Sequence, residues 1–172
     1  MKTRVSSTTG EVIADPRVRL LGRVAGLPVY LVSGQIVRNE LDIDFTQGGN
    51  ASVYPTYVEP DEIWVEESLK PLDRTATALH EIVERDQMIR YGKTYDDAHE
   101  VASANEIPFR RELKRNPPRE FDARRVAAAY RAYLKDPERH PVIDRPNDLP
   151  RTRRQIERDI EASLSRNRPG AR

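Results

Sequence analysis

His80, Glu84 and His99 are the residues whose types and spacing point most directly to chemistry. On a helix, side chains four positions apart project from one face, so His80 and Glu84 can converge on a single divalent ion. Glu81 points elsewhere from the next position, yet stays close enough to take a proton from a water activated there. Two ligands one turn apart with a carboxylate beside them is what a zinc hydrolase requires. The third ligand has to come from another element, and His99 is the candidate, with Glu106 two turns further along the same face. Zinc is the expected ion, because imidazole and carboxylate both suit it. The competing reading makes His80 and His99 helix-surface residues, solvated or paired with Glu84 and Glu100.

Other chemistries find less support. The chain has no cysteine, which removes disulfides, thiolate nucleophiles and every zinc site built on Cys. Ser33, Ser52, Ser68 and Ser103 lack a nucleophile-elbow context, and no glycine-rich loop opens a helix after a strand as phosphate binding would need. Asp42 and Asp44 read as exposed alternate positions, and the third histidine, His140, between Arg139 and Pro141, reads as loop.

The elements that must position the metal-ligand set follow from periodicity. Residues 1–17 carry Ser, Thr, Gly and charges without a sustained period and read as a flexible lead-in. Order is expected from Val18. Leu27 to Val32 and Gln35 to Arg38 read as strands joined by a turn at Ser33-Gly34, Asp42 to Asn50 as a loop ending in Gly48-Gly49-Asn50, Val53 to Val58 as an edge strand, and Ile63 to Glu66 as a short strand. Trp64 is expected to anchor the core beneath the helices.

At Pro71 the period changes: Leu72, Ala76, Leu79 and Val83 follow a helical stripe that Gly92 stops. Thr94, answered by Asp97, caps a second helix with Ala98, Val101, Ala102 and Ile107 buried. So short a turn makes the two helices an antiparallel hairpin able to bring His99 back toward His80. The fold class expected is α+β, a small antiparallel sheet packed on this hairpin over residues 18–107. Residues 108–172 are expected to follow as a proline-punctuated helical tail, with helices over Glu120–Lys135 and Thr152–Ser165.

Charge divides the chain at the same place. Residues 1–106 hold 11 Lys and Arg against 18 Asp and Glu, a net of −7, whereas residues 107–172 hold 18 against 10, a net of +8. The basic tail could meet nucleic-acid phosphates, but Glu157, Asp159 and Glu161 interleave with its arginines and favour docking on protein, its own acidic part included. No apolar run reaches the roughly 20 residues of a membrane span. Met1 to Ser6 lacks a secretory stretch, so the expectation is a soluble, cytoplasmic protein.

The run Ile63-Trp64-Val65-Glu66-Glu67-Ser68-Leu69, with Pro71, Arg74 and Ala78-Leu79-His80-Glu81 after it, resembles the strand, turn and active-site helix of minimal zincin-like metallopeptidases, the small repressor-cleaving enzymes of phages and bacteria. The layout covers residues 24–106. Where that family has His-Glu-x-x-His, this chain has His-Glu-x-x-Glu: His80 is similar to the first ligand, Glu81 to the general base, and Glu84 replaces the second histidine. Two histidines and one glutamate still make a catalytic zinc set. The resemblance implies a zinc-dependent hydrolase acting on peptide or protein substrates in the cytoplasm of a bacterium or phage-infected cell, with Glu81 catalytic and His80, Glu84 and His99 on the metal. The alternative is a non-catalytic phage or bacterial accessory protein that keeps the fold and binds a partner through its basic C-terminal tail.

Overall fold

The computed structural model describes residues 2–137, an α+β arrangement in which a sheet packs on a helical hairpin. The expected helix Thr152–Ser165 and His140 lie outside the described residues. Among the described residues, no helix is long and apolar enough to cross a membrane.

The first residues are more ordered than their composition led us to expect. β1 (Thr3–Val5) and β2 (Val12–Ala14) form an antiparallel pair inside the expected lead-in. They are pinned from outside the pair: the Arg4 guanidinium binds Glu59 and the Tyr57 carbonyl, and the Ser6 hydroxyl donates to the Thr56 carbonyl. Anchors 50 or more residues away in sequence leave no local periodicity to read.

The main sheet has the order β3-β4-β6-β5, with β3 at Arg17–Val24, β4 at Leu27–Val32, β5 at Gly48–Asn50 and β6 at Ile63–Glu66. β3 and β4 form a hairpin whose two-residue turn is Ala25-Gly26, at φ 51° and 87°, not Ser33-Gly34. Both central residues of this turn are left-handed, the geometry that matches strand twist. An alanine there costs about 1–2 kcal/mol relative to glycine, which is why it carries no turn signal in the sequence. The segment expected as a returning strand is instead the short helix α1 (Gly34–Glu40). β4 and β6 pair in parallel, the crossover running through α1 and β5, while β5 pairs antiparallel with β6. Val53–Val58 forms turns, not an edge strand.

Helix α2 (Pro71–Tyr91) begins at Pro71 and ends at Gly92 with φ 62°, and α3 (Tyr95–Arg115) begins after Thr94, whose hydroxyl accepts from the Asp97 amide at 3.3 Å, both as expected. α3 runs past the boundary expected at residue 107, continuing to Arg115 with Pro108 inside it. The proline removes a backbone hydrogen bond at about 3 kcal/mol. Phe109 and Leu113 beyond it are buried in the main core, and side chains of that size stabilise by about 1.5–3 kcal/mol each, enough to carry the helix through. α4 (Ala123–Tyr133) follows, shorter than the expected Glu120–Lys135, and buries Val126, Tyr130 and Tyr133. The packed body therefore runs past the boundary expected at residue 107.

β6 is buried on both faces. Ile63 and Val65 face the core shared with α2, α3 and α4; Trp64 faces the other way, among Val32, Val37, Phe45, Tyr57 and Val58. It therefore anchors a second core on the face opposite α2, α3 and α4, with its indole N–H donating to Glu62 at 2.9 Å.

Candidate metal centre

α2 is buried along most of its length, and its His80 and Glu84 open onto a cavity of about 260 Å³ between β5, the loop that follows it, and the start of α3. α3 returns antiparallel after the Gly92–Thr94 turn and sets His99 against them. His80 Nε2 lies 3.1 Å from His99 Nδ1, His99 Nδ1 lies 2.9 Å from Glu84 Oε2, and His80 Nε2 lies 3.7 Å from Glu84 Oε2. The three residues expected from the sequence thus form one donor group. Ligand atoms of a tetrahedral ion bonded at about 2.0–2.1 Å stand about 3.3 Å apart, and the three edges bracket that value.

The surroundings orient the donors. His80 Nδ1 is 3.0 Å from Glu106 Oε2, so its N–H donates to that carboxylate and leaves Nε2 toward His99 and Glu84. A carboxylate behind a ligating histidine fixes tautomer and ring orientation. Glu106 therefore lies behind His80 and not among the ligands. Its other oxygen accepts from Arg110 Nη2 at 2.6 Å, and Arg110 is held in turn by Asp73. Glu100 takes no part in this set; the histidines pair with Glu84 and Glu106.

Strand β5 supplies what the sequence reading missed. An ideal Cβ on Gly48 would fall 2.7 Å from Thr77 Cγ2 and 2.8 Å from Glu81 Oε1, and one on Gly49 would fall 2.8 Å from the Tyr54 ring. These glycines serve close approach to α2 and to an aromatic ring, not positive φ, which neither adopts. Asn50 is fully buried and its Nδ2 donates to Glu81 Oε2 at 3.0 Å and to Glu84 Oε1 at 3.1 Å, tying the expected base to the expected ligand. The only sequence signal for it is the Gly-Gly-Asn triplet, which a flexible loop would share.

Three carboxylates in and around one buried pocket shape the acid–base behaviour of the metal-free chain. Burial opposes a charged His80, but hydrogen bonds to Glu106 and Glu84 and the charge of Glu81 outweigh it and hold the imidazolium up to about 10. Burial works against an ionised Glu106 as well, yet the bonds from His80 and Arg110 bring it down to about 2. Glu84 is likewise held low, by His80 and His99 against its burial. Glu81 is pushed up, by burial first and by the charge of Glu84 second.

A consequence for metal binding can be measured. His80 is protonated at neutral pH without metal, and a metal needs its Nε2 lone pair, so at least one proton should leave per ion bound. The sign follows from the raised value: apparent affinity should fall about tenfold for each unit of pH below about 10 and level off above it. Titration calorimetry of zinc binding in two buffers of different ionisation enthalpy counts the protons. A count of zero would remove His80 Nε2 from the coordination set.

The donor chemistry suits a divalent ion: two imidazoles and a carboxylate converge on one point, and a positive charge there offsets carboxylates that burial otherwise penalises. No model of a known protein family, no curated protein and no solved structure matches this chain.

Proposed function

We propose that this protein is a zincin-like, metal-dependent hydrolase acting on peptide bonds, with His80, Glu84 and His99 as ligands and Glu81 as general base. The observation that carries the proposal is the convergence of His80 Nε2, Glu84 Oε2 and His99 Nδ1, with His80 already fixed from behind by Glu106. Zinc bound there would supply Lewis acidity, bringing the ionisation of water toward neutral pH and polarising a carbonyl. The remaining work belongs to the chain. Glu81, held by Asn50 at the cavity wall, takes the proton of the attacking water and returns it to the leaving amine. Glu106, Arg110 and Asp73 keep the His80 ring in its plane. Thr46, Gln47, Val53, Tyr54 and Tyr95 line the cavity that admits the substrate.

The test is turnover of a broad peptide library by the zinc-loaded full chain. Cleavage that a chelator stops and added zinc restores is the expected result; a zinc-loaded protein that cleaves none of the library would refute peptide hydrolysis.

A further inference from the structure

One side-chain amide reaches both carboxylates that α2 presents to the cavity. Asn50 is fully buried on β5, and its orientation is fixed by its partners. Its Oδ1 accepts from the Ser52 amide at 3.0 Å, which turns Nδ2 toward α2. The two protons of that nitrogen meet two acceptors, Glu81 Oε2 at 3.0 Å and Glu84 Oε1 at 3.1 Å. Each carboxylate has a second oxygen, and the two face different surroundings. Glu84 Oε2 lies 2.9 Å from His99 Nδ1, inside the donor group. Glu81 Oε1 lies against Gly48, 2.8 Å from where a Cβ would stand, and Glu81 is not a member of the donor group. Glu81 and Glu84 line the cavity, with Asn50 buried behind them.

We infer that Asn50 is a positioning residue that keeps the Glu81 carboxylate out of the coordination shell and so leaves the fourth position of the ion open. This rests on the hydrolase reading above, in which Glu81 is the base. A buried dication attracts every carboxylate that can reach it, and Glu81 stands one residue from His80 at the wall of the same cavity. A fourth protein ligand would close the site. Closed tetrahedral zinc is structural, whereas catalytic zinc has three protein ligands and an open position. The same amide holds Glu84 by Oε1, so that Oε2 alone is presented to the histidines. A supporting role and a positioning role differ in sign. Loss of a partner that merely supports the ligands lowers metal affinity, typically about 10–100-fold, whereas release of Glu81 onto the ion raises it.

The test is a cycle of full-length chains, wild type, Asn50→Leu, Glu81→Gln and the pair together, each titrated with zinc against a competing chelator. Leucine keeps the γ-branched shape of asparagine and removes both donors. Asn50→Leu should bind zinc about tenfold more tightly than wild type, and the gain should vanish in the double variant, a coupling within the range for residues in contact. Glu81→Gln alone should leave zinc affinity at its wild-type value, and Asn50→Leu should lose peptide turnover with its zinc in place. Asn50→Ala, too small to clash, repeats the cycle. A crystal structure of zinc-loaded wild type needs no variant: Glu81 Oε2 should remain on Asn50 Nδ2 with no bond to zinc. Weaker zinc binding by the folded Asn50 variants, a gain that survives Glu81→Gln, or Glu81 bonded to zinc in wild type overturns the inference. A wild type that cleaves no peptide while the zinc cycle behaves as expected overturns peptide hydrolysis and leaves the placing of Glu81 by Asn50 standing. A wild type that binds no zinc overturns both.

Discussion

Replacing Glu81 by glutamine is expected to slow peptide turnover by about 10²–10⁴-fold while leaving zinc content unchanged. The substitution keeps the size of the side chain and removes only the carboxylate that accepts the water proton. The amide can still pack against Gly48, and its oxygen can accept from Asn50 Nδ2, which now sits 3.0 Å from Glu81 Oε2. A structural residue would therefore tolerate the change, and a general base would not. Zinc analysis and peptide kinetics on the same preparation check it; loss of zinc in Glu81→Gln would move Glu81 into the coordination shell.

Gly48→Ala should cost both stability and the order of the site. The added methyl group would sit 2.7 Å from Thr77 Cγ2 and 2.8 Å from Glu81 Oε1. Thr77 is β-branched and stiff on its helix, and Glu81 is held by Asn50, so neither gives way easily. β5 must move off α2, a strain worth about 1–3 kcal/mol by analogy with overpacked cores. Because Asn50 lies two residues along the same strand, that movement also loosens its bonds to Glu81 and Glu84. Denaturant unfolding should show the lost stability, and zinc-loaded activity should fall with it. A Gly48→Ala protein with wild-type stability would mean that β5 does not lie this close to α2.

The helices, and the meeting of His80, Glu84 and His99 on them, were legible in the sequence because local signals agreed. In α2 and α3 a helical apolar stripe, Pro71 at the start, Gly92 at the stop and Thr94 as a cap point to the same hairpin, and the hairpin alone brings His99 back to His80. The sheet side was less legible because its determinants are distant contacts. Gly48-Gly49-Asn50 looks like a loop until one sees Glu81 and Tyr54 lying on the glycines. The β3–β4 turn was hidden by an alanine in a left-handed conformation, and the N-terminal strands depend on Glu59 and on carbonyls of Thr56 and Tyr57. Pro108 misled in the opposite direction: its local rule is to stop a helix, and buried Phe109 and Leu113 outweigh it. Glu106 was placed correctly on the face of His99, but its role behind His80 depends on the angle at which α2 and α3 pack, which spacing alone does not give.

The most direct measurement is the zinc stoichiometry and affinity of the purified full chain beside those of His99→Ala. His99 is the proposed ligand from outside α2, so it tests the convergence of the two helices and not merely a motif along one of them. Partners behind the ligands are typically worth 10–100-fold in metal affinity, so loss of a ligand itself should cost more than about 100-fold. The expected result is one zinc bound per wild-type chain and at least that loss of affinity in His99→Ala with the fold intact. A wild-type chain that binds no stoichiometric zinc, or a His99→Ala chain that binds it as tightly as wild type, would contradict the metal centre.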